Sequence, residues 1–397
     1  MKIRTLFGMM VTGALLALYG CGGGGGGAST PAATSTTVSG VASKGQFISG
    51  AVSIFGVDPV SSGKGTLLKT TTLDALGNYS ADIGTHTGPI LIEVTGKYKD
   101  EATGTLVDTT APLRTAISNA TGTVTAMVTP LTEMAVKQMN NVFTKTAVDT
   151  FNSNIATAFK VEDITKTKPV DATNATAIAS ATAAEKNMSL VLAAVSQLVS
   201  NSGNSLDKVL SDMASSITGS TIPDTTATGF KTAMFDFIGS ANNKTGIDKN
   251  TDLLNLGTSK TAHVEISAVG LAAGAKIGGI DFTFSLPAGV TLAKDAITNQ
   301  VNAGVVVASG AAAATGTTSI SLASLNGLAL RTVLANAQGF AGGEFVNISC
   351  TIPASAISTA SAAAFQSAIT AATPVTVTDI SGAAITGITL SAVVDVF

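Results

Sequence analysis

Gly279-Ile280-Asp281-Phe282-Thr283-Phe284-Ser285-Leu286 alternates apolar and polar residues over eight positions. Pro287-Ala288-Gly289 then turns the chain into Val290-Thr291-Leu292. A strand places successive side chains on opposite faces, so this period of two predicts a half-buried strand ending in a turn. Ala262-His263-Val264-Glu265-Ile266-Ser267 alternates in the same way upstream. Val305-Val306-Val307, Ser319-Ile320-Ser321-Leu322, Gly343 to Ile352, Val375-Thr376-Val377 and Ile388 to Val396 add further strands, with an Ala/Ser/Gln-rich helical insert near 354–371. About eight short strands over residues 258–397 predict a two-sheet β-sandwich or jelly roll.

Residues 126–257 carry a different period. Thr129-Pro130-Leu131-Thr132-Glu133 reads as a helix start, with a cap, Pro at the first position and an acid in the first turn. Met134, Val136, Met139, Val142 and Phe143 follow at helical spacing. Further helical stretches are expected near 146–159, 174–201, 204–217 and 225–241. Breakers separate them at Lys168-Pro169, Asn201 to Asn204 and Ile222-Pro223-Asp224. A central helical bundle is the expectation, and its Phe and Met stripes are read as core. Lys160 to Lys168 is read as a connecting loop.

Residues 38–125 return to short strands at Val52 to Phe55, Leu67 to Thr72 and Ile90 to Val94, with turns at Asp58-Pro59, Ser61-Ser62-Gly63, Asp74 to Asn78 and Thr87-Gly88-Pro89. A small antiparallel β-sandwich is expected. Asp74 should cap its turn, Gly77 should take a positive φ, and Tyr79 should start the next strand facing inward. Gly96 to Gly104, the most charged stretch here, is read as a solvated loop. The fold class is thus multi-domain α+β: an N-terminal antiparallel sandwich, a helical middle and a C-terminal sandwich.

The N-terminus predicts an anchor. Lys2 and Arg4 precede an apolar run from Leu6 to Leu18, as in an export signal. That run is shorter than the ~20 residues a spanning helix needs. Leu18-Tyr19-Gly20-Cys21 resembles the lipobox of bacterial lipoproteins. The resemblance implies a signal peptide over 1–20, cleavage before Cys21 and lipidation (palmitate included) of Cys21, a membrane anchor. Without an Asp after the Cys, it implies the outer membrane, on its periplasmic or surface-exposed face. Gly22 to Gly27 and the Ala/Ser/Thr/Pro stretch to 37 form a flexible tether over 21–37. Loss of residues 1–20 removes two basic residues and no acid, taking the formal charge from -3 to -5.

Two more resemblances concern the folded regions. Gly45 to Val52, with its Gly50-Ala51-Val52 strand, and Thr72-Leu73-Asp74-Ala75-Leu76-Gly77-Asn78-Tyr79 resemble the carboxypeptidase regulatory-like, transthyretin-like domain, a structural or binding sandwich. Four elements resemble the cohesin and carbohydrate-binding-module superfamily. They are the opening strand Val264–Ile266, the Gly279-x-x-Phe282-x-Phe284-x-Leu286-Pro287 strand ending at Gly289-Val290, Gly343-Glu344-Phe345-Val346-x-Ile348, and the Val377-Thr378-Asp379-Ile380-Ser381-Gly382 turn. That superfamily binds proteins or sugars through faces that vary, so it assigns no binding residue here.

Chemistry finds little support. The chain of 397 residues has 22 Lys plus Arg against 25 Asp plus Glu, so no basic excess points to nucleic acid. Two His, His86 and His263, fall in different expected domains, and with Cys21 lipidated Cys350 is the only thiol, read as a small buried hydrophobe. Ser61 to Thr66 fails the P-loop pattern, because Asp58 stands where the first Gly belongs and Gly65 where Ser or Thr belongs. Asp248-Lys249-Asn250-Thr251-Asp252 opens like a calcium loop, but Leu253 replaces the needed Gly and Ser259 the needed Glu. A turn is the simpler reading, with a weak calcium site left open. No catalytic, cofactor or metal residue is assigned. The expected role is a non-catalytic binding or scaffolding module with an envelope or extracellular protein partner. Polysaccharide binding stays open, although residues 258–397 hold no Trp or Tyr for ring stacking. An envelope-enzyme accessory role would require Glu133, Glu185 and Asp236 to converge.

Overall fold

The computed structural model describes residues 35–373 and 375–397, so Cys21 and the tether before residue 35 lie outside the described residues. Eight strands come first: β1 (Thr37–Val41), β2 (Gln46–Val57), β3 (Lys64–Thr72), β4 (Asn78–Asp82), β5 (Gly88–Lys99), β6 (Leu106–Asp108), β7 (Leu113–Ala120) and β8 (Thr123–Thr125). They form a three-stranded sheet, β4-β1-β8, and a larger one, β3-β2-β5-β6, with β7 also paired to β5. β1 runs parallel to β8, and the other ladders here are antiparallel. β5 lies between β2 and β7 and buries Ile90, Leu91, Ile92 and Val94.

The Asp74 turn forms as its residues dictate. Asp74 Oδ1 accepts the Leu76 and Asn78 N–H groups, each at 2.8 Å. Gly77 sits at φ +77°, where an added Cβ would lie 2.5 Å from the Ala42 carbonyl oxygen. Tyr79 is buried, and its hydroxyl donates to the Ala126 carbonyl at 2.6 Å.

Six helices follow: α1 (Pro130–Gln138), α2 (Lys145–Ala158), α3 (Ala175–Ala179), α4 (Ala183–Ser202), α5 (Leu206–Ser216) and α6 (Asp224–Gly239). Thr129 caps α1 through a capping box with Thr132, with Pro130 at the helix start and Glu133 in the first turn. The expected helix over 174–201 is two helices. Thr182 and Glu185 make a reciprocal capping box that starts α4 afresh, and α3 ends at Ser180. α4 is buried continuously from Met188 to Ser196, which marks a central helix covered on all sides. One hydrophobic cluster runs from Val38 through these helices to Leu256, so helices and N-terminal sheets share a core.

The C-terminal region contains β9 (Lys260–Val269), β10 (Ile277–Ser285), β11 (Val306–Ala308), α7 (Gly310–Ala313), β12 (Thr318–Asn326), β13 (Ala329–Phe340), β14 (Gly343–Ile352), α8 (Ala362–Thr370), β15 (Val375–Thr378), β16 (Ala384–Ile385) and β17 (Thr389–Val396). Two antiparallel sheets result, β12-β13-β10-β15-β16 and β11-β14-β9-β17. Their side chains meet in a second cluster, where the Phe282 ring from one sheet and the Phe345 ring from the other stand edge to face at 5.8 Å. β13 is a twelve-residue strand not among those expected from the sequence. Its inward positions are Leu330, Thr332, Leu334 and Asn336, so polar residues interrupt the apolar alternation. Asn336 is satisfied there, accepting the Thr317 hydroxyl at 3.0 Å. The chain is therefore α+β with several antiparallel sheets.

Aspartate-headed turns recur at Asp58, Asp74, Asp295 and Asp379. Hydrogen bonds hold each carboxyl below the ordinary aspartate value of 3.8. The leading donors are the Ser61 N–H, the Asn78 side chain, the Thr298 N–H and the Ser381 hydroxyl respectively. A depressed folded pKa stabilises above the unfolded value, near 3.9, and the gain is lost as pH falls through the folded value. We expect a thermal midpoint that drops as pH falls below about 4. A midpoint that holds steady through about pH 3 would show that these turns do not contribute to stability.

Candidate functional site

Gly96 to Gly104 is not the solvated loop its charge suggested. Gly96 to Lys99 belong to β5, and Asp100 and Glu101 are buried. What buries them is Lys44, the only charged residue between Arg4 and Asp58. Lys44 stands at the tight connection from β1 into β2. Gly45 there has φ +71°, and an added Cβ would lie 1.8 Å from the Lys99 carbonyl oxygen, so only glycine lets the turn press against the end of β5. Gly45 N–H donates to Glu101 Oε1 at 2.7 Å.

The Lys44 ammonium is fully buried. It donates to Asp100 Oδ2 at 2.8 Å and to Ser196 Oγ, on α4, at 2.6 Å, with Glu101 Oε2 at 3.7 Å. The Ser196 hydroxyl in turn donates to Glu101 Oε2 at 2.5 Å. Asp100 Oδ1 accepts the Ala102 and Thr103 N–H groups. Burial alone would lower the Lys44 pKa, but the Glu101 and Asp100 charges outweigh it and hold the ammonium above its ordinary value. Burial would raise Asp100, but Lys44 brings it below the carboxylate range. At Glu101 burial wins over Lys44 and Ser196, and the carboxyl is raised.

A serine against a lysine is the constellation of a nucleophile and its base. Here it lacks both functions. Lys44 is held charged and so takes no proton, and both the proton and the acceptor capacity of Ser196 are committed. The arrangement acts as an electrostatic weld between the N-terminal sheet and α4. Beside it lies a cavity of about 280 Å³ whose wall includes Tyr98, Asp100, Glu133 and Ser196.

The three acids of an enzymatic reading do not meet. Glu133 is buried and holds Arg114 in a two-point pair, at 3.0 Å to Nε and 2.6 Å to Nη2. Burial still raises the Glu133 carboxyl despite Arg114. Glu185 caps the start of α4. Asp236 accepts from Asn201 Nδ2 at 2.8 Å. Glu185 and Asn201 are sixteen residues apart on one helix, or ~24 Å at ~1.5 Å per residue. Burial, the largest effect on Asp236, raises its carboxyl.

His86 and His263 also stand apart. His86 packs over Gly56 of β2. His263 is buried in β9, with Nε2 3.5 Å from Glu265 and 3.6 Å from Asp236. It adjoins Phe235, which stacks on Phe397 at 4.5 Å. On the same side of β9, Lys231 of α6 donates to the Ser259 carbonyl at 2.8 Å, and burial lowers its pKa to about 8. Cys350 is buried in β14, and burial pushes its thiol well above the ordinary value. Asp248 receives the Asn250 N–H, and Lys249 reaches Asp395 instead of joining a ligand shell. Among the described residues no three His, Cys, Asp or Glu side chains come together as metal ligands. No described helix is long and apolar enough to cross a membrane.

Edges offer a different kind of site. β3 carries Lys64 and Lys69, β6 and β16 are very short, and α8 packs against β17. β12, by contrast, is a nine-residue edge strand without a charge, TSISLASLN. Asn299 and Val301 pair with its Ala323–Leu325 end. Thr318, Ile320, Ser321 and Leu322 face a groove of about 480 Å³ shared with β11 and lined by no charged side chain. A bulge between Ile320 and Leu322 interrupts its pairing with β13, so the guard on this edge is a bulge and not a charge.

Compared with protein-family models, curated proteins and solved structures, the chain matches none.

Proposed function

We propose that this chain is a non-catalytic lipoprotein of the cell envelope, anchored through Cys21, whose folded body is a binding or scaffolding module. In this reading the N-terminal sheets are a carboxypeptidase regulatory-like sandwich and the two C-terminal sheets a cohesin-like sandwich. The observation that carries the binding role is the β12 edge. It is long, uncharged and open at Thr318 to Leu322, where an extended segment of an envelope or extracellular protein would add as a further strand. The separate commitments of Glu133, Glu185 and Asp236 favour binding over catalysis. Tethering supports it as well, because a flexible leash raises the effective concentration of a weak site near its surface.

The test uses intact cells, external protease and cross-linking mass spectrometry. Native protein should fractionate with the membrane, and Cys21→Ala should release it. Cross-links to a partner should map to 318–322. Ser321→Lys, on an exposed edge position, should cut them at least fivefold with an unchanged thermal midpoint. Cross-links that ignore Ser321→Lys would remove the edge from the proposal. Membrane retention without Cys21 would remove the lipid anchor. Capture of glycans rather than protein would favour the sugar-binding alternative.

A further inference from the structure

The cavity beside Lys44 has a sharper chemistry than its size alone suggests. It lies between the segment that follows β5 and helices α4 and α5. Its apolar wall comes from Val107, Leu113, Val199, Leu206 and Leu210. Four acids also line it: Asp100, Asp108, Glu133 and Asp207. No Lys, Arg or His does. The cations that balance these acids sit behind them. Lys44 backs Asp100, and Arg114 and Lys137 back Glu133. Each of the four acids is paired with a cation that does not line the cavity: Asp100 with Lys44, Asp108 with Lys97, Glu133 with Arg114 and Lys137, and Asp207 with Lys137. The wall therefore presents carboxylate oxygen to the cavity, with the balancing cations set outside the lining. Asp207 and Asp108 are the most exposed of its acids and mark the mouth.

A second observation points inward. Tyr98 lines the cavity and is 4% exposed. Its ring sits over Lys44 and beside Phe47, but its hydroxyl makes no hydrogen bond among the described residues. Tyr98 is not among the residues whose polar atoms are sealed from solvent without a partner, so its hydroxyl opens onto the cavity it lines. A ligand that carries N–H donors would bond to this hydroxyl from within the cavity, since a phenol oxygen accepts as well as donates.

We propose that this cavity binds a small organic cation, an apolar body bearing a primary ammonium group. The apolar wall takes the body. Tyr98 and the acids at the mouth take the ammonium. At about 280 Å³ the space lies just under the ~300–1,000 Å³ of drug-sized sites, which selects a single ring or short chain. This site is separate from the β12 edge and stands whether or not that edge binds a partner.

The experiment uses the full chain carrying Cys21→Ala, which avoids detergent. Three probes share one ring: 2-phenylethylamine, 2-phenylethanol and phenylacetate. Binding is read by saturation-transfer NMR and by thermal shift. The amine should bind at least tenfold more tightly than the alcohol, and the acid should not bind. Asp207→Asn, at the half-exposed mouth, should weaken the amine three- to tenfold and leave the alcohol unchanged. Tyr98→Phe should weaken the amine as well. Leu210→Trp, which fills the space, should abolish binding of both probes. Equal affinity for amine and alcohol would overturn the charge reading. No binding of any probe at millimolar concentration would overturn the site. Amine binding that survives both Asp207→Asn and Leu210→Trp would place it elsewhere on the surface and overturn the proposal.

Discussion

Lys44→Met is expected to cost about 3–5 kcal/mol of folding stability, the usual penalty for removing one partner of a buried ion pair. The cost arises because Asp100 and Glu101 keep their burial and lose their cation. Ser196 keeps Glu101, but nothing replaces the 2.8 Å bond to Asp100 Oδ2. Urea denaturation should show a lower midpoint at unchanged slope. Lys44→Met combined with Glu101→Gln should recover part of the loss, since the double variant holds one buried charge instead of two.

The pH dependence gives an independent check. In the native protein the Lys44 contribution is complete below the unfolded lysine value, near 10.4, and is lost only above the higher folded value. In Lys44→Met the two buried carboxyls have folded values raised above their unfolded ones. Such groups bind protons better in the folded chain, so the variant should gain stability as pH falls from about 7 to about 5. A loss under ~1 kcal/mol, with no such gain on acidification, would show that the cluster is solvated in practice.

The second large effect is at Phe282, which is fully buried between the two C-terminal sheets. Phe282→Ala should cost about 3–5 kcal/mol, because the edge-to-face contact with Phe345 and the stacked contact with Phe284 leave a void that neither sheet can close. The loss falls on one hydrophobic cluster only. The two clusters are joined by few polar links, including Thr228 to Thr351 at 2.7 Å and Lys231 to the Ser259 carbonyl. Denaturation of the variant should therefore become biphasic, with the β9–β17 region melting first. A single transition shifted as a whole would show that the Phe235–Phe397 stack and its neighbours bind both clusters into one cooperative unit.

Local signals were legible. Thr129-Pro130 started a helix, Asp74-x-x-Gly77 made its turn, and the Gly279–Leu286 alternation became the central strand β10. Each depends on neighbours within a few residues. What the sequence hid depends on distant partners. Asp100-Glu101 looked solvated because charge usually means solvent, and nothing nearby reveals Lys44 or Ser196. The lone Lys44 in a long uncharged stretch was the available clue. β13 was hidden because Thr332 and Asn336 occupy inward positions; Asn336 is satisfied by the Thr317 and Thr318 side chains, whereas the buried Thr332 hydroxyl has no partner. The break before α4 was written in Thr182-x-x-Glu185, a capping signature inside an otherwise helical run. The anchor expected at Cys21 rests on an equally local pattern, and its residues lie outside the described part of the chain.

The weld between Lys44 and Ser196 joins positions 152 residues apart. That distance governs the order of assembly. A chain made from its N-terminus presents Lys44, Asp100 and Glu101 long before Ser196 of α4 exists to join them. The inner face of the larger N-terminal sheet stays open, and Lys44 has only its carboxylates until synthesis passes Ser196. Contacts of such separation make folding slow, because the intervening loop must close before the contact returns any energy. The half-made protein is thus an exposed, sticky intermediate.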